Sequence, residues 1–211
     1  MKRFLLATAL GLGLLAPAFG QVNTVPQIGL TTGYLPKATY SSSFVGLVPP
    51  ASATDEVCIT GSATKVVRVV RMVIGGSAGT AVQVPVLAVR RVTADTGGTL
   101  ATTTANPGVT TQIASRDTSQ APNTAATAVL ASYTAVPTIN DTAPVYIDSQ
   151  VMGLTVATVV PVVAVFDWGR DIENNIQVPT LRGAAQQLCL NFNTVSISSG
   201  VLSGQVTWTE E

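Results

Sequence analysis

The sequence predicts an all-β chain folded as an antiparallel β-sandwich of jelly-roll type, and three observations carry that prediction. The 211 residues are rich in Val, Ala, Thr, Ser and Gly, with 46% hydrophobic and only 10% charged side chains, a composition that suits pleated, packed sheet. Short apolar runs alternate with period two and are separated by Gly, Pro, Asn and Ser. No segment shows the spacing of a convincing amphipathic helix.

The first 20 residues stand apart. Lys2 and Arg3 precede the apolar run from Phe4 to Leu15, and Ala18-Phe19-Gly20 puts small residues where a signal peptidase reads them. The run is shorter than the roughly 20 apolar residues that span a bilayer. A secretory leader over residues 1–20 is therefore expected, with cleavage before Gln21. Residues 21–39 lack periodicity and read as an extended arm. Residues 40–211 read as one sandwich domain, in which no transmembrane span is expected.

Within that domain, Phe44–Val48 is the first predicted strand, stopped by Pro49-Pro50. Val57–Thr60 ends at Gly61-Ser62, and Lys65–Ile74, the clearest strand, ends at Gly75-Gly76. Strict alternation puts Val66, Val70, Met72 and Ile74 on one face with Arg68, and Val67, Val69 and Val73 on the other with Arg71. Two largely apolar faces need cover on both sides, from a second sheet and from a loop or another subunit. Val82–Thr93 follows, with Pro85 placing its start at an edge or bulge. Residues 95–122, dominated by Thr, Ser, Gly, Asn and Pro, read as a long surface excursion. Thr124–Val136 fits a helix through its alanines, or a strand through the alternation of Thr127, Val129, Ala131 and Tyr133. Val145–Ile147, Val156–Trp168, Ile176–Leu181, Gln187–Phe192, Val195–Ile197 and Gln205–Thr209 bring the total to about ten strands.

Chemistry is constrained by an absence. The chain has no histidine, which removes the Ser–His–Asp triad, the Cys–His dyad and the ordinary zinc sites. No Gly-x-Ser-x-Gly elbow or phosphate-binding glycine loop replaces them. No catalytic residue, metal ligand or cofactor is therefore assigned, and a non-enzymatic role is expected. Charge is balanced at 11 basic and 11 acidic residues, with no basic block, so no nucleic-acid footprint is visible.

The two cysteines are the candidate site residues. Cys58 alternates with Val57 and Ile59, and Cys189 with Leu188 and Leu190, so each faces away from its strand's apolar side. A bridge from an early to a late strand fits an oxidising compartment. Two unpaired small hydrophobes fit the residues too, and geometry decides between them.

The densest polar cluster runs from Asp167 to Asn175. Its spacing misses the calcium-loop pattern and Arg170 sits among the would-be ligands, which favours a solvated turn. Trp168 and Trp208 are readable as sugar-stacking aromatics, but burial in a core or subunit interface is the favoured reading.

Two blocks carry a resemblance. The first runs from Ala51-Ser52-Ala53-Thr54-Asp55 through Gly61-Ser62-Ala63-Thr64-Lys65 into Val66-Val67-Arg68-Val69. The second comprises Phe166-Asp167-Trp168-Gly169, Leu181-Arg182-Gly183-Ala184-Ala185-Gln186, Leu190-Asn191 and Trp208-Thr209-Glu210-Glu211. Together, over about residues 40–211, they resemble a group of small β-rich, virion-associated proteins of tailed phages and prophages. The resemblance implies a structural role, as a capsid decoration or tail-associated protein that contacts capsid or tail proteins. It supplies no functional residue. The alternative is a secreted bacterial surface or adhesive module that contacts a cell surface and binds carbohydrate. Localisation is accordingly the virion, or the extracellular space if the leader works as a signal. The two apolar faces of Lys65–Ile74 add an expected homo-oligomer, a trimer under the virion reading.

The leader yields a direct expectation. N-terminal sequencing of the native protein should read from Gln21, and retention of Met1 would contradict export.

Overall fold

The computed structural model describes residues 37–49, 55–100, 113–116, 129–131, 133, 146–156, 162–169, 177–193, 195–197 and 199–211. Among these described residues twelve strands form, in chain order: β1 (Ala38–Leu47), β2 (Asp55–Thr60), β3 (Val67–Ser77), β4 (Val82–Arg91), β5 (Thr99–Leu100), β6 (Ile113–Ser115), β7 (Val129–Ala131), β8 (Tyr146–Leu154), β9 (Ala164–Asp167), β10 (Thr180–Leu181), β11 (Gln187–Asn191) and β12 (Val201–Glu210). Eight of them make four nested antiparallel pairs: β1 with β12, β2 with β11, β3 with β9, and β4 with β8. Wrapping those pairs as one ribbon gives β9-β3-β12-β1 in one sheet and β2-β11-β4-β8 in the other. That is the jelly-roll order. β10 and β6 extend the first sheet, and β7 and β5 extend the second.

The core lies between the sheets and follows the alternation of each strand. The second sheet contributes Val57, Ile59, Val84, Val86, Leu188 and Leu190, all buried. Val67, Val69, Met72, Ile74, Phe44 and Trp208 meet them from the first sheet. Trp208 stacks on Tyr40 with ring centroids 5.9 Å apart, and its indole N–H donates to Glu210 at 3.1 Å. Each face of the sandwich thus turns large apolar groups inward, where burying one contributes about 1.5–3 kcal/mol.

Bulges correct the face assignment of β3. The pairing with β12 shifts between Thr207 and Trp208, which face Arg71 and Val69, so Val70 is the extra residue. Val67, Val69, Met72 and Ile74 therefore share the core face, while Arg68, Arg71 and Val73 are half-buried on the other. Period-two reading fails beyond Val70 because a bulge adds one residue and inverts everything after it. The outer face of this strand is consequently mixed, not apolar.

Other differences have local causes. β8 runs nine residues where Val145–Ile147 suggested three, because its polar stretch is accommodated at a sheet edge. There Gln150 donates from its amide to Val165 O and accepts from Val165 N, and Gly153 exchanges backbone hydrogen bonds with Val162. These contacts join the two sheets along that edge. Val195–Ile197 is not a strand, since Asn193 takes a left-handed φ of 48° and Val195 N closes a turn onto Phe192 O. β5 and β6 show that residues 95–122 also donate strand segments, one to each sheet. Within 124–136, residues 129–131 are strand, and the other residues, Tyr133 apart, lie outside the described ones. The leader at 1–20, most of the arm, and 170–176 of the acidic turn lie outside them too, while Ala38 and Thr39 already belong to β1.

Among the described residues, Pro85 sits in β4 where only β8 is a neighbour, because β11 pairs with Leu87–Arg91. Its missing N–H is tolerated for that reason. Gly46 adopts a φ of 76° at the bulge between Val45 and Leu47, a conformation that a side chain would strain.

Gly204 permits a close approach instead. A Cβ there would lie 2.1 Å from Val73 O and 2.5 Å from Phe44 Cζ. Gly204→Ala should lower stability by about 1–3 kcal/mol in urea unfolding. Gly183→Ala, with nothing within 4 Å of its Cβ, should change it little.

Candidate functional site

The outer face of the second sheet holds the densest polar chemistry. Cys58 and Cys189 are directly paired residues of β2 and β11, with Cα atoms 4.0 Å apart, and they form a disulfide. Both are fully buried on the face away from the main core, against Tyr133 and Leu130. Alternation predicts that orientation from sequence, because Val57, Ile59, Leu188 and Leu190 take the core side.

Asp55 joins this face through a bulge. Asn191 faces Asp55, and Leu190 faces Val57, so Glu56 is the extra residue of β2. Without it Asp55 would share the core side with Val57. Arg91 grips Asp55 with two hydrogen bonds, one from Nε to Oδ2 and one of 2.7 Å from Nη2 to Oδ1. Asn191 adds a third at 2.8 Å to Oδ1. The side chains of Asp55 and Arg91 are 0% and 4% exposed, so the pair is desolvated as well as bidentate. Gln187 continues the network. It accepts from the Asp95 backbone N–H at 2.8 Å, and its amide donates to Thr60 Oγ1 at 3.2 Å and to Tyr133 Oη at 3.3 Å.

Burial sets the titration of this region. It pushes the Tyr133 phenol above its ordinary range, reinforced by the charges of Asp95 and Asp55. It likewise raises Asp95, against the backbone N–H of Thr96. Glu56 is displaced to about 8 by burial and by the adjacent Asp55 charge, and its Oε2 has no hydrogen-bond partner.

Asp55, Cys58 and Cys189 bring their ligand atoms within 4.8 Å of one another. As a metal site that set would need thiolates. Here the sulfurs bond each other and Asp55 already faces Arg91, so the group functions as a crosslink. Of the acidic turn, Asp167 is described, and its Oδ1 accepts from Gly169 N at 3.1 Å. Trp208 is fully buried and serves as packing, while Trp168, 6% exposed, stacks on Phe166 and keeps an edge at the surface.

A different feature was not legible in the sequence. An open cleft of about 500 Å³ lies between the sheets, lined by Arg90, Asp148, Trp168, Gln177, Pro179 and Leu181 among others. Its walls come from the end of β4, the start of β8, the residue after β9 and the approach to β10. Trp168 N donates to Val70 O at 2.9 Å and Val69 N to Pro179 O at 3.0 Å, which fixes two of those walls to β3. No motif marks these residues, since the jelly-roll wrap gathers them from four segments.

Family models, curated proteins and solved structures were compared with the chain, and none matches.

Two stability predictions follow from the charges. Arg91→Met leaves Asp55 buried and uncompensated, and should cost about 3–5 kcal/mol in urea unfolding. Adding Asp55→Asn to it should recover part of that loss. For Glu56, the raised folded-state pKa means that the folded protein keeps a proton which the unfolded chain releases. Stability should therefore fall as pH rises from 4.5 to about 8 and flatten above. Glu56→Gln should remove that slope in thermal melts taken across the same window.

Proposed function

We propose that the protein is a non-enzymatic structural component that acts by attachment, as a virion protein of the decoration or tail-associated kind. The observation that carries this reading is the jelly-roll wrap, whose order β9-β3-β12-β1 against β2-β11-β4-β8 belongs to an architecture used in capsid and lectin domains. That is support by fold-level analogy. The sequence blocks described above support the same role. The polar groups of the second sheet support the non-enzymatic part, because Arg91 and Asn191 are engaged with Asp55, and Gln187 with Asp95, Thr60 and Tyr133. A general acid or base must instead reach a substrate proton.

The disulfide favours a second reading, a secreted surface module, because such bonds persist in oxidising compartments. Both readings include self-association, with a trimer as the virion form. The apolar surface for it is offered by β8, where Tyr146, Ile147 and Val151 are exposed, in place of the outer face of β3. Multivalent display would strengthen modest individual contacts.

Mass spectrometry of purified phage particles and of cell-free medium separates the two readings. Presence in particles is the expected result, and presence only in the medium selects the secreted module. A stable monomer at micromolar concentration in light scattering would remove multivalency. Hydrolytic turnover abolished by a single carboxylate substitution would overturn the non-enzymatic role.

A further inference from the structure

The geometry points to the cleft between the sheets as a binding site for a short saccharide, held by Arg90, Asp148, Gln177 and Trp168. This inference rests on the attachment role and gives it a ligand class.

Five observations meet there. The volume of about 500 Å³ falls in the range of small-ligand sites. Arg90 is exposed at the end of β4, and its guanidinium forms no ion pair or hydrogen bond among the described residues. Asp148 shares the cleft with it, yet among the described residues its carboxylate accepts a hydrogen bond only from the Ser149 backbone N–H, at 2.7 Å. Two opposite charges line one cavity and leave each other unpaired, so donors and acceptors both stay available. The Gln177 side chain, likewise without a hydrogen bond among the described residues, adds an amide that does both. Among the same residues the indole N–H of Trp168 has no partner either.

The remaining lining is largely apolar, from Ile147, Val178, Pro179, Leu181 and Leu188 beside the hydroxyl-bearing Thr180. Trp168 is held rigidly by its backbone bond to Val70 and by stacking on Phe166 at 5.7 Å. A pyranose ring matches this mixture. Its hydroxyls both donate and accept, which suits a carboxylate, a guanidinium and an amide set side by side. Its C–H face packs on apolar and aromatic surface. A zwitterionic peptide end would satisfy Arg90 and Asp148, but would leave the amide and the indole N–H with less to bind.

Saturation-transfer NMR on the full chain tests the site with maltose, cellobiose, lactose and chitobiose, and with glycylglycine as the zwitterionic control. At least one disaccharide should bind. Arg90→Gln and Asp148→Asn should each weaken that binding by about tenfold or more, the loss expected for a charged hydrogen bond. Lys65→Gln, at an exposed position outside the cleft, should leave it unchanged, with circular dichroism reporting the fold of each variant. Binding of glycylglycine alone, or of no disaccharide, would overturn the proposal. So would disaccharide binding that both folded cleft variants retain. Any of these results leaves particle association untouched, so failure of the site is distinguishable from failure of the structural role.

Discussion

The ion pair of Asp55 with Arg91, laid beside the Cys58–Cys189 bridge, is the constraint on which the second sheet depends. Three strands that are distant in sequence meet there: β2 supplies Asp55 and Cys58, β4 supplies Arg91, and β11 supplies Cys189, Asn191 and Gln187. Contacts of this kind form late in a search dominated by non-local pairing, and each closes a long loop. The bridge alone spans 131 residues of sequence. A jelly roll needs such ties because its nested pairs bring together strands far apart in sequence, as β1 with β12 and β2 with β11.

The charge pair is also an obligation. A buried carboxylate and guanidinium lose much hydration, and only close, complete hydrogen bonding offsets that cost. The bulge at Glu56 is the device that makes the bonding possible, since it turns Asp55 toward Arg91 and Asn191. It leaves Glu56 itself buried with an unpartnered oxygen, and the carboxyl responds by keeping its proton to about pH 8. One irregular residue thus supplies both the lock and its pH sensitivity.

Much of the sandwich is legible in the sequence because alternation and turn residues report which side chains face inward. The positions of β2, β3, β4 and β11 and the orientation of both cysteines follow from that pattern. Val70 and Glu56 mark where it stops working. A bulge has no residue-type signature here, yet it inverts the faces beyond it, so Arg71 and Asp55 were unreadable from parity. That Arg90, Asp148, Trp168 and Gln177 line one cleft was unreadable for another reason. Their proximity is a property of the wrap, which brings an end of β4, a start of β8 and two connecting segments to one mouth. The proposed attachment role and saccharide cleft fit together: Asp55 and Arg91 satisfy each other inside the second sheet, while Arg90 and Asp148 stand without an ion pair at an opening.

Equilibrium urea unfolding of the chain, before and after reduction of Cys58–Cys189, tests the central claim most directly. Closing a loop of 131 residues should be worth about 2–5 kcal/mol, so reduction should move the unfolding midpoint clearly downward. An unchanged midpoint in fully reduced protein would contradict the account, because the second sheet would then hold together without its crosslink.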